Sequence, residues 1–306
     1  MEGILPLYKP KGVTSHDCVL KLRKIVKMKK IGHTGTLDPD VTGVLPICIG
    51  KATKVAEYIT NAGKVYEGEV TIGIATATED ASGEVISQIP IKEQITREKI
   101  LNVFAHLSGE IVQTPPMYSA VKVNGKRLYE YARLGIEVER PSRTVSIYQL
   151  DLLDNREIFS GEKIGFRFRA ACSKGTYIRT LAVMIGEKLG YPAHMSDLIR
   201  VQSADFTISD CLTFADIEKE MENGTLQQQL FPLEQALSHL PKYQINDTLA
   251  KKVKNGAILV CPNELIHTQD PIIVITENNK ALAIYQQHPA KHGLLKPEKV
   301  LRTDST

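Results

Sequence analysis

Cysteine is sparse: the 306-residue chain has five, at Cys18, Cys48, Cys172, Cys211 and Cys261, and none belongs to a C-x-x-C pair. Their odd number and wide separation argue against a disulfide framework and against a zinc site, so they are expected as small buried hydrophobes. No stretch approaches the roughly 18 uninterrupted apolar residues that a membrane span requires. The opening MEGILPLYKPKG lacks the basic and long apolar regions of a secretory signal, which makes the cytoplasm the expected compartment. H-E-x-x-H and G-x-S-x-G are both missing. Residues 43–51 suggest a phosphate loop only superficially, because six residues separate Gly43 from Gly50 and Ala52 stands where Ser or Thr would hold magnesium. His288 and His292 form an isolated pair in an expected loop, a weak basis for a metal site.

What is present reads as an ordinary globular chain, 42% hydrophobic and 24% charged, long enough for one large domain and a smaller one. The net charge of +3 is small, but basic residues accumulate locally. Lys9, Lys11, Lys21, Arg23, Lys24, Lys27, Lys29 and Lys30 fall in one early stretch with Asp17 as the opposing acid. Lys163, Arg167, Arg169, Lys174 and Arg179 form a second run without an acid. Such runs are either solvated faces or a local footprint for nucleic acid.

Residues 3–8 read as a strand, and Thr14 or Ser15 caps an expected helix over Val19, Leu22, Ile25 and Val26. Residues 32–43 are too rich in Gly, Thr and Pro for a helix or a central strand, and are expected as a shaped loop. From residue 64 to 74, Tyr66, Gly68, Val70, Ile72 and Ile74 alternate with more polar positions, the period of a half-buried strand. Thr96 opens an expected helix with Ile100, Phe104 and Leu107 on one face, closed by Gly109. Ile164, Phe166, Phe168, Ala170 and Cys172 alternate again, and a turn at Ser173-Lys174-Gly175 leads to an amphipathic helix carrying Ile178, Leu181, Ile185 and Leu189. Between 114 and 143 basic residues and tyrosines interleave (Lys122, Lys126, Arg127, Tyr129, Tyr131, Arg133, Arg140), which fits either an arm that stacks on bases or a plainly packed hairpin. After about residue 238 short apolar runs indicate a small β-rich domain. The fold class expected is α+β, a mixed and mostly antiparallel sheet over residues 1–238 followed by a smaller unit over 239–306.

Chemistry concentrates at Asp38. Pro39 pushes Asp38 toward extended backbone, and Gly32, Gly35 and Gly43 let the main chain approach a ligand closely, so a carboxylate is held out on a stiff tip. On composition alone, an Asx-Pro turn capping local amides is the stronger reading. The run Gly32-His33-Thr34-Gly35-Thr36-Leu37-Asp38-Pro39, continuing through Thr42-Gly43-Val44-Leu45-Pro46, resembles the signature of the bacterial tRNA pseudouridine-55 synthases, the TruB family. Lys9-Pro10-Lys11-Gly12, Lys64-Val65-Tyr66, Thr114-Pro115-Pro116, Ser119-Ala120-Val121-Lys122 and Gly175-Thr176-Tyr177-Ile178-Arg179 follow in the family's order. The resemblance covers roughly the first 235 residues, and the tail resembles the family's PUA domain in size, position and strand-like character.

That resemblance implies Asp38 as the catalytic carboxylate, Tyr66 as the tyrosine against the target uracil and Arg179 as the partner of the aspartate. It implies Leu198 as the apolar floor beneath the base, His33 as the residue that pushes into the RNA loop, and Lys54 and Tyr177 as further substrate contacts. Each has a plain alternative: Tyr66 and Leu198 as core, His33 as a turn residue. Arg179, in the first turn of a helix where positive charge is disfavoured, calls for a carboxylate partner on physical grounds. The implied reaction breaks a C–N bond to a ribose and makes a C–C bond to the same ribose, with no redox change and no external group, so neither cofactor nor metal is expected. Asp38 acts as nucleophile at C1′ or as base at C2′, and both remain open. The implied partner is the T-arm of tRNA, with no membrane, no required protein partner and a monomeric chain. Two other readings stand beside it: a tRNA-binding module without chemistry, and the catalytic subunit of a guide-RNA-dependent complex.

Overall fold

A computed structural model describes residues 1–276 and 278–303. Its first strand, Gly3–Lys9, pairs antiparallel with Thr42–Ile49 from Gly3 opposite Ile49 to Lys9 opposite Gly43. The sheet continues through Ala193–Ser203, Lys64–Ile72, Ile164–Cys172, Arg143–Leu152 and Gly109–Gln113, with Ile31–His33 and Phe206–Thr207 attached beside this path. Every pairing is antiparallel except that of Ala193–Ser203 with Thr42–Ile49, where Ile199 faces Thr42 and Arg200 faces Gly43. The result is the mixed, mostly antiparallel sheet of an α+β fold.

Sequence alternation becomes burial directly in the middle of this sheet. Val70, Ile72, Ile164, Phe166, Phe168 and Ala170 are buried beneath the helices Arg97–His106 and Ile178–Leu189, which contribute Ile100, Phe104, Leu181 and Ile185 to the same core. A second helix layer covers the first strands. There Ser15–Val26 buries Val19 and Leu22 against Leu5, Leu7, Leu45 and Ile47. Its start is fixed by a capping box in which Thr14 Oγ1 accepts from Asp17 N at 3.0 Å and Asp17 Oδ2 accepts from Thr14 N at 3.0 Å.

Three local expectations need correction. The segment 32–43 is loop only between residues 34 and 41. Ile31–His33 and Thr42–Ile49 are strands that pair with each other, a partnership that local composition does not reveal. Gly43 is a close-approach residue within the sheet, since a Cβ there would fall 2.2 Å from Arg200 O. Gly109 does not close its helix: the last turn ends at Leu107, whose N–H donates to Val103 O and Phe104 O, and Gly109 opens the next strand. The basic runs are also less basic in space than along the chain. Lys9 is fully buried, Arg179 is nearly so, and the neighbouring strand sets Glu67 and Glu69 opposite Arg169 and Arg167.

A second, five-stranded sheet begins at Lys242 and runs Lys242–Ile245, Ile272–Thr276, Ala281–Gln287, Leu294–Val300, Leu259–Val260. One of its faces packs on the helix Asp247–Lys254 through Val253, Val274 and Tyr285. The other sends Ile273, Ile275 and Ile284 into a core shared with Ile4, Val44, Tyr58 and Phe206. The five cysteines are free; four are buried and Cys211 is half-buried. Among the described residues no helix is long and apolar enough to cross a membrane.

Candidate active site

The loop between residues 34 and 41 is pinned along its whole length. Thr34 donates from both N and Oγ1 to Pro46 O, at 3.1 and 3.0 Å. Leu37 is buried and its N–H donates to Ser15 Oγ at 2.9 Å. Lys9 Nζ, sealed beneath the loop, donates to Pro10 O at 2.9 Å, Pro39 O at 2.9 Å and Val41 O at 2.7 Å. An ammonium donating to three carbonyls has its donors satisfied without solvent, and it ties the loop's two sides to the first strand. Asp38 stands at the tip with 43% of its side-chain surface exposed.

Arg179 answers it from the start of the helix Ile178–Leu189. Its side chain is 6% exposed, and Nη2 lies 3.1 Å from Asp38 Oδ2. Nη1 lies 3.6 Å from Asp80 Oδ2 and donates to Thr78 O at 3.1 Å, while Nη2 also donates to Tyr118 O at 2.9 Å. The cation that the helix N-terminus disfavours is thus held by two carboxylates and two carbonyls. Burial pushes the Asp38 carboxyl above its ordinary pKa, and the Arg179 guanidinium opposes that rise. The Asp38 carboxylate pairs with Arg179, while its backbone oxygen accepts from Val41 N at 3.1 Å and closes a turn over Pro39.

Asp38 and Arg179 open into a cleft of about 430 Å³ whose walls include Leu198, Met195, Asp80, Tyr118, Tyr129 and Arg133. Leu198 reaches the cleft because Gly68 lies opposite it across the strand pair, where a Cβ would stand 2.9 Å from Leu198 Cδ1. Tyr66 lies two residues before Gly68, opposite Arg200, and packs on the main core. Its phenol is pushed up in pKa by burial, opposed by the nearby Arg200 guanidinium, and so remains neutral. Arg200 is itself buried and donates from Nε to Val44 O at 2.7 Å. The structure therefore brings Asp38, Arg179 and Leu198 to the cleft and sets Tyr66 just behind it. His33 is half-buried and its Nδ1 has no hydrogen-bond partner; burial lowers its pKa and keeps the imidazole neutral near pH 7.

Two expected contacts lie elsewhere. Lys54 Nζ donates to Val300 O at 2.7 Å and Leu301 O at 3.3 Å, which turns it toward the C-terminal sheet, and it does not line the cleft. Tyr177 is the N-cap residue of the Arg179 helix, and its ring lies 5.4 Å from the Arg143 guanidinium, outside the cleft walls. Its backbone is gripped by buried Gln113, which accepts from Tyr177 N at 3.0 Å and donates to Tyr177 O at 3.2 Å. Between 114 and 143 the chain forms a small hairpin and the helix Leu128–Arg133, and the Tyr129 ring is flanked by Arg127 and Arg133 at 5.8 and 5.3 Å. Tyr131 is spoken for, since its hydroxyl donates to Val123 O at 3.0 Å.

Sequence reasoning missed Asp80, Arg200 and the buried role of Lys9. Asp80 sits in an ordinary-looking turn, and its Oδ1 accepts from Thr78 Oγ1 at 2.7 Å and Ser82 N at 3.0 Å while Oδ2 is left facing Arg179. The pattern Thr78-x-Asp80-x-Ser82-Gly83 is the one signal that marks such a turn. Among the described residues no group of three or more His, Cys, Asp or Glu is placed to hold a metal ion.

Comparison with known proteins gives a consistent picture. The chain is 60% identical over 302 residues to the tRNA pseudouridine synthase B of Geobacillus thermodenitrificans, covering 99% of this chain and 100% of that one. It is 58% identical over 301 residues to the protein of the same name from Bacillus cytotoxicus, covering 98% and 97%. Among solved structures it is similar to a chain of a Cbf5-Nop10-Gar1 complex, with a TM-score of 0.75, 30% identity, and 98% of this chain and 85% of that chain covered. The TruB family pseudouridylate synthase N-terminal domain matches residues 23–178, and the tRNA pseudouridylate synthase B C-terminal domain matches residues 179–238. With the Asp38 loop, the Arg179 helix and every strand of the large sheet except Gly3–Lys9 inside those matches, the chain belongs to the TruB family of pseudouridylate synthases.

Proposed function

We propose that this chain is an isomerase that converts uridine to pseudouridine at position 55, in the T-arm of tRNA, in the cytoplasm and as a monomer without a protein partner. The observation that carries this reading is the Asp38 carboxylate, fixed on a pinned tip, paired with Arg179 and open to a cleft of a size suited to a nucleoside-scale ligand. The reaction moves the ribose C1′ from N1 to C5 of the same uracil, with the C5 proton lost and a proton gained at N1. Asp38 acts on the ribose, either attacking C1′ or removing the C2′ proton, while the Arg179 pair holds the carboxylate ionised and oriented. Leu198 supports the detached ring, and Tyr66, neutral and opposite Arg200, limits where that ring can turn.

The target uridine lies stacked in the T-loop, and extruding it costs a few kcal/mol that phosphate contacts and new stacking must offset. Neutral His33 enters a base stack without the desolvation penalty of a charge. The Arg127–Tyr129–Arg133 cluster at the cleft offers a stacking face and two cations to the RNA. The domain reading, residues 1–238 for the chemistry with an arm at about 114–143 and residues 239–306 as a PUA-like RNA grip, belongs to the same proposal.

A second reading is favoured by one observation, the similarity to a chain solved in a Cbf5-Nop10-Gar1 complex. Incubation of the purified chain with an unmodified tRNA transcript, followed by pseudouridine mapping, separates the two. Product at position 55 without added RNA or protein is expected, and product that appears only with a guide RNA and partners would favour the complex.

A further inference from the structure

The Glu79 carboxylate has no part in the chemistry above, yet the chain strains to place it. Its φ is +63°, the left-handed region that non-glycine residues seldom occupy. Both of its neighbours are partners of Arg179: Thr78 through its carbonyl at 3.1 Å and Asp80 through Oδ2 at 3.6 Å. Glu79 reaches the next residue of the helix, where Thr180 Oγ1 donates to Glu79 Oε2 at 2.9 Å. Three consecutive residues of the turn thus meet two consecutive residues of the helix.

The turn is firmly seated on its other side. Glu79 O accepts from Met195 N at 3.0 Å and Asp80 bridges to the same Met195, three residues before Leu198. Gly83 permits the tight fold, since a Cβ there would lie 2.3 Å from Thr78 Oγ1. The Glu79–Thr180 bond joins turn and helix without using Arg179, and Thr180 is buried, so water does not readily replace it. Removing it leaves turn and helix joined here only through Arg179's own bonds to Thr78 O and Asp80, so the guanidinium that must aim at Asp38 also has to hold the turn.

We infer that Glu79 and Thr180 form a positioning pair, which sets the register of the 78–80 turn against the helix and thereby the aim of Arg179 at Asp38. The inference rests on Asp38 acting on the ribose as proposed above. Loss of a purely stabilising contact at a helix start would lower the melting temperature and leave the chemical step alone. Loss of a positioning contact lowers the rate of the bound complex, because small displacements of oriented groups are costly in turnover.

The test is single-turnover pseudouridine formation by the full chain on an unmodified T-arm stem-loop, with stem-loop affinity measured separately. Variants are Glu79→Ala, Thr180→Val, their combination, and the conservative Glu79→Gln and Thr180→Ser, with Asp38→Asn as control. Expected are rate losses of about tenfold for Glu79→Ala and for Thr180→Val, unchanged affinity, no further loss in the double variant, and near-native rates for Gln and Ser, which keep acceptor and donor. Thr180→Val is isosteric and keeps the test open should Glu79→Ala fold poorly. Wild-type rates in Glu79→Ala and Thr180→Val beside an inactive Asp38→Asn would overturn the positioning role alone, as would losses that multiply in the double variant. A fully active Asp38→Asn would instead remove the functional reading on which the role depends.

Discussion

Asp38 carries two opposed influences, and their balance is measurable. Burial raises its pKa and Arg179, 3.1 Å away, lowers it, with burial the larger. In the proposed chemistry the ionised carboxylate is the reactive form, so activity is expected to fall as pH falls through this pKa, with the acid limb above the ordinary aspartate value. Replacing Arg179 by Met removes the opposing cation, so the Asp38 pKa moves further up. A carboxyl carbon-13 titration of wild type and Arg179→Met reads that shift directly, and a downward movement would contradict it. That Arg179 needs an acid was legible in the sequence, since a cation in a helix's first turn calls for one, and the family resemblance implied Asp38 as that acid. Lys9 and Arg200 were not legible, because a lysine in a basic run looks solvated until the fold seals three carbonyls around it.

Elements were read well where a period governs them and poorly where a pairing does. The strands Lys64–Ile72 and Ile164–Cys172 and the helix Ile178–Leu189 bury the faces that their alternation or helical spacing indicates. Gly32 and Gly43 were read as loop, because nothing local shows that Ile31–His33 and Thr42–Ile49 pair or that Arg200 O presses on Gly43. Gly68 is the clearest case of a residue whose meaning lies in its partner strand. A methyl there meets Leu198 Cδ1 at 2.9 Å, Asp197 O at 3.0 Å and the Phe168 ring at 3.2 Å. Gly68→Ala is expected to cost about 1–3 kcal/mol in denaturant unfolding, as overpacking does, and to reduce turnover by displacing Leu198. Unchanged stability together with unchanged turnover would show that the Gly68–Leu198 contact does not shape the cleft.

At the scale of the whole molecule, the second sheet is packed and not tethered, since Ile273, Ile275 and Ile284 share a core with Ile4, Val44 and Phe206. The full chain is therefore expected to unfold in one cooperative transition, and a chain ended after residue 241 to lose at least about 3 kcal/mol through exposure of those side chains. Two resolved transitions in calorimetry would show the units to be independent. Charge was the property least legible from the chain, because the sheet sets Glu67 and Glu69 across from the arginines of the second basic run. The role proposed for the Asp38 carboxylate is to act on the ribose, with Arg179, Tyr66 and Leu198 orienting the reactants and other surfaces gripping and opening the RNA. Its most direct test compares wild type with Asp38→Asn on an unmodified T-arm stem-loop, measuring affinity and single-turnover pseudouridine formation together. Native affinity with the rate reduced by more than about 10³-fold is expected, and product formed by Asp38→Asn at the native rate would contradict it.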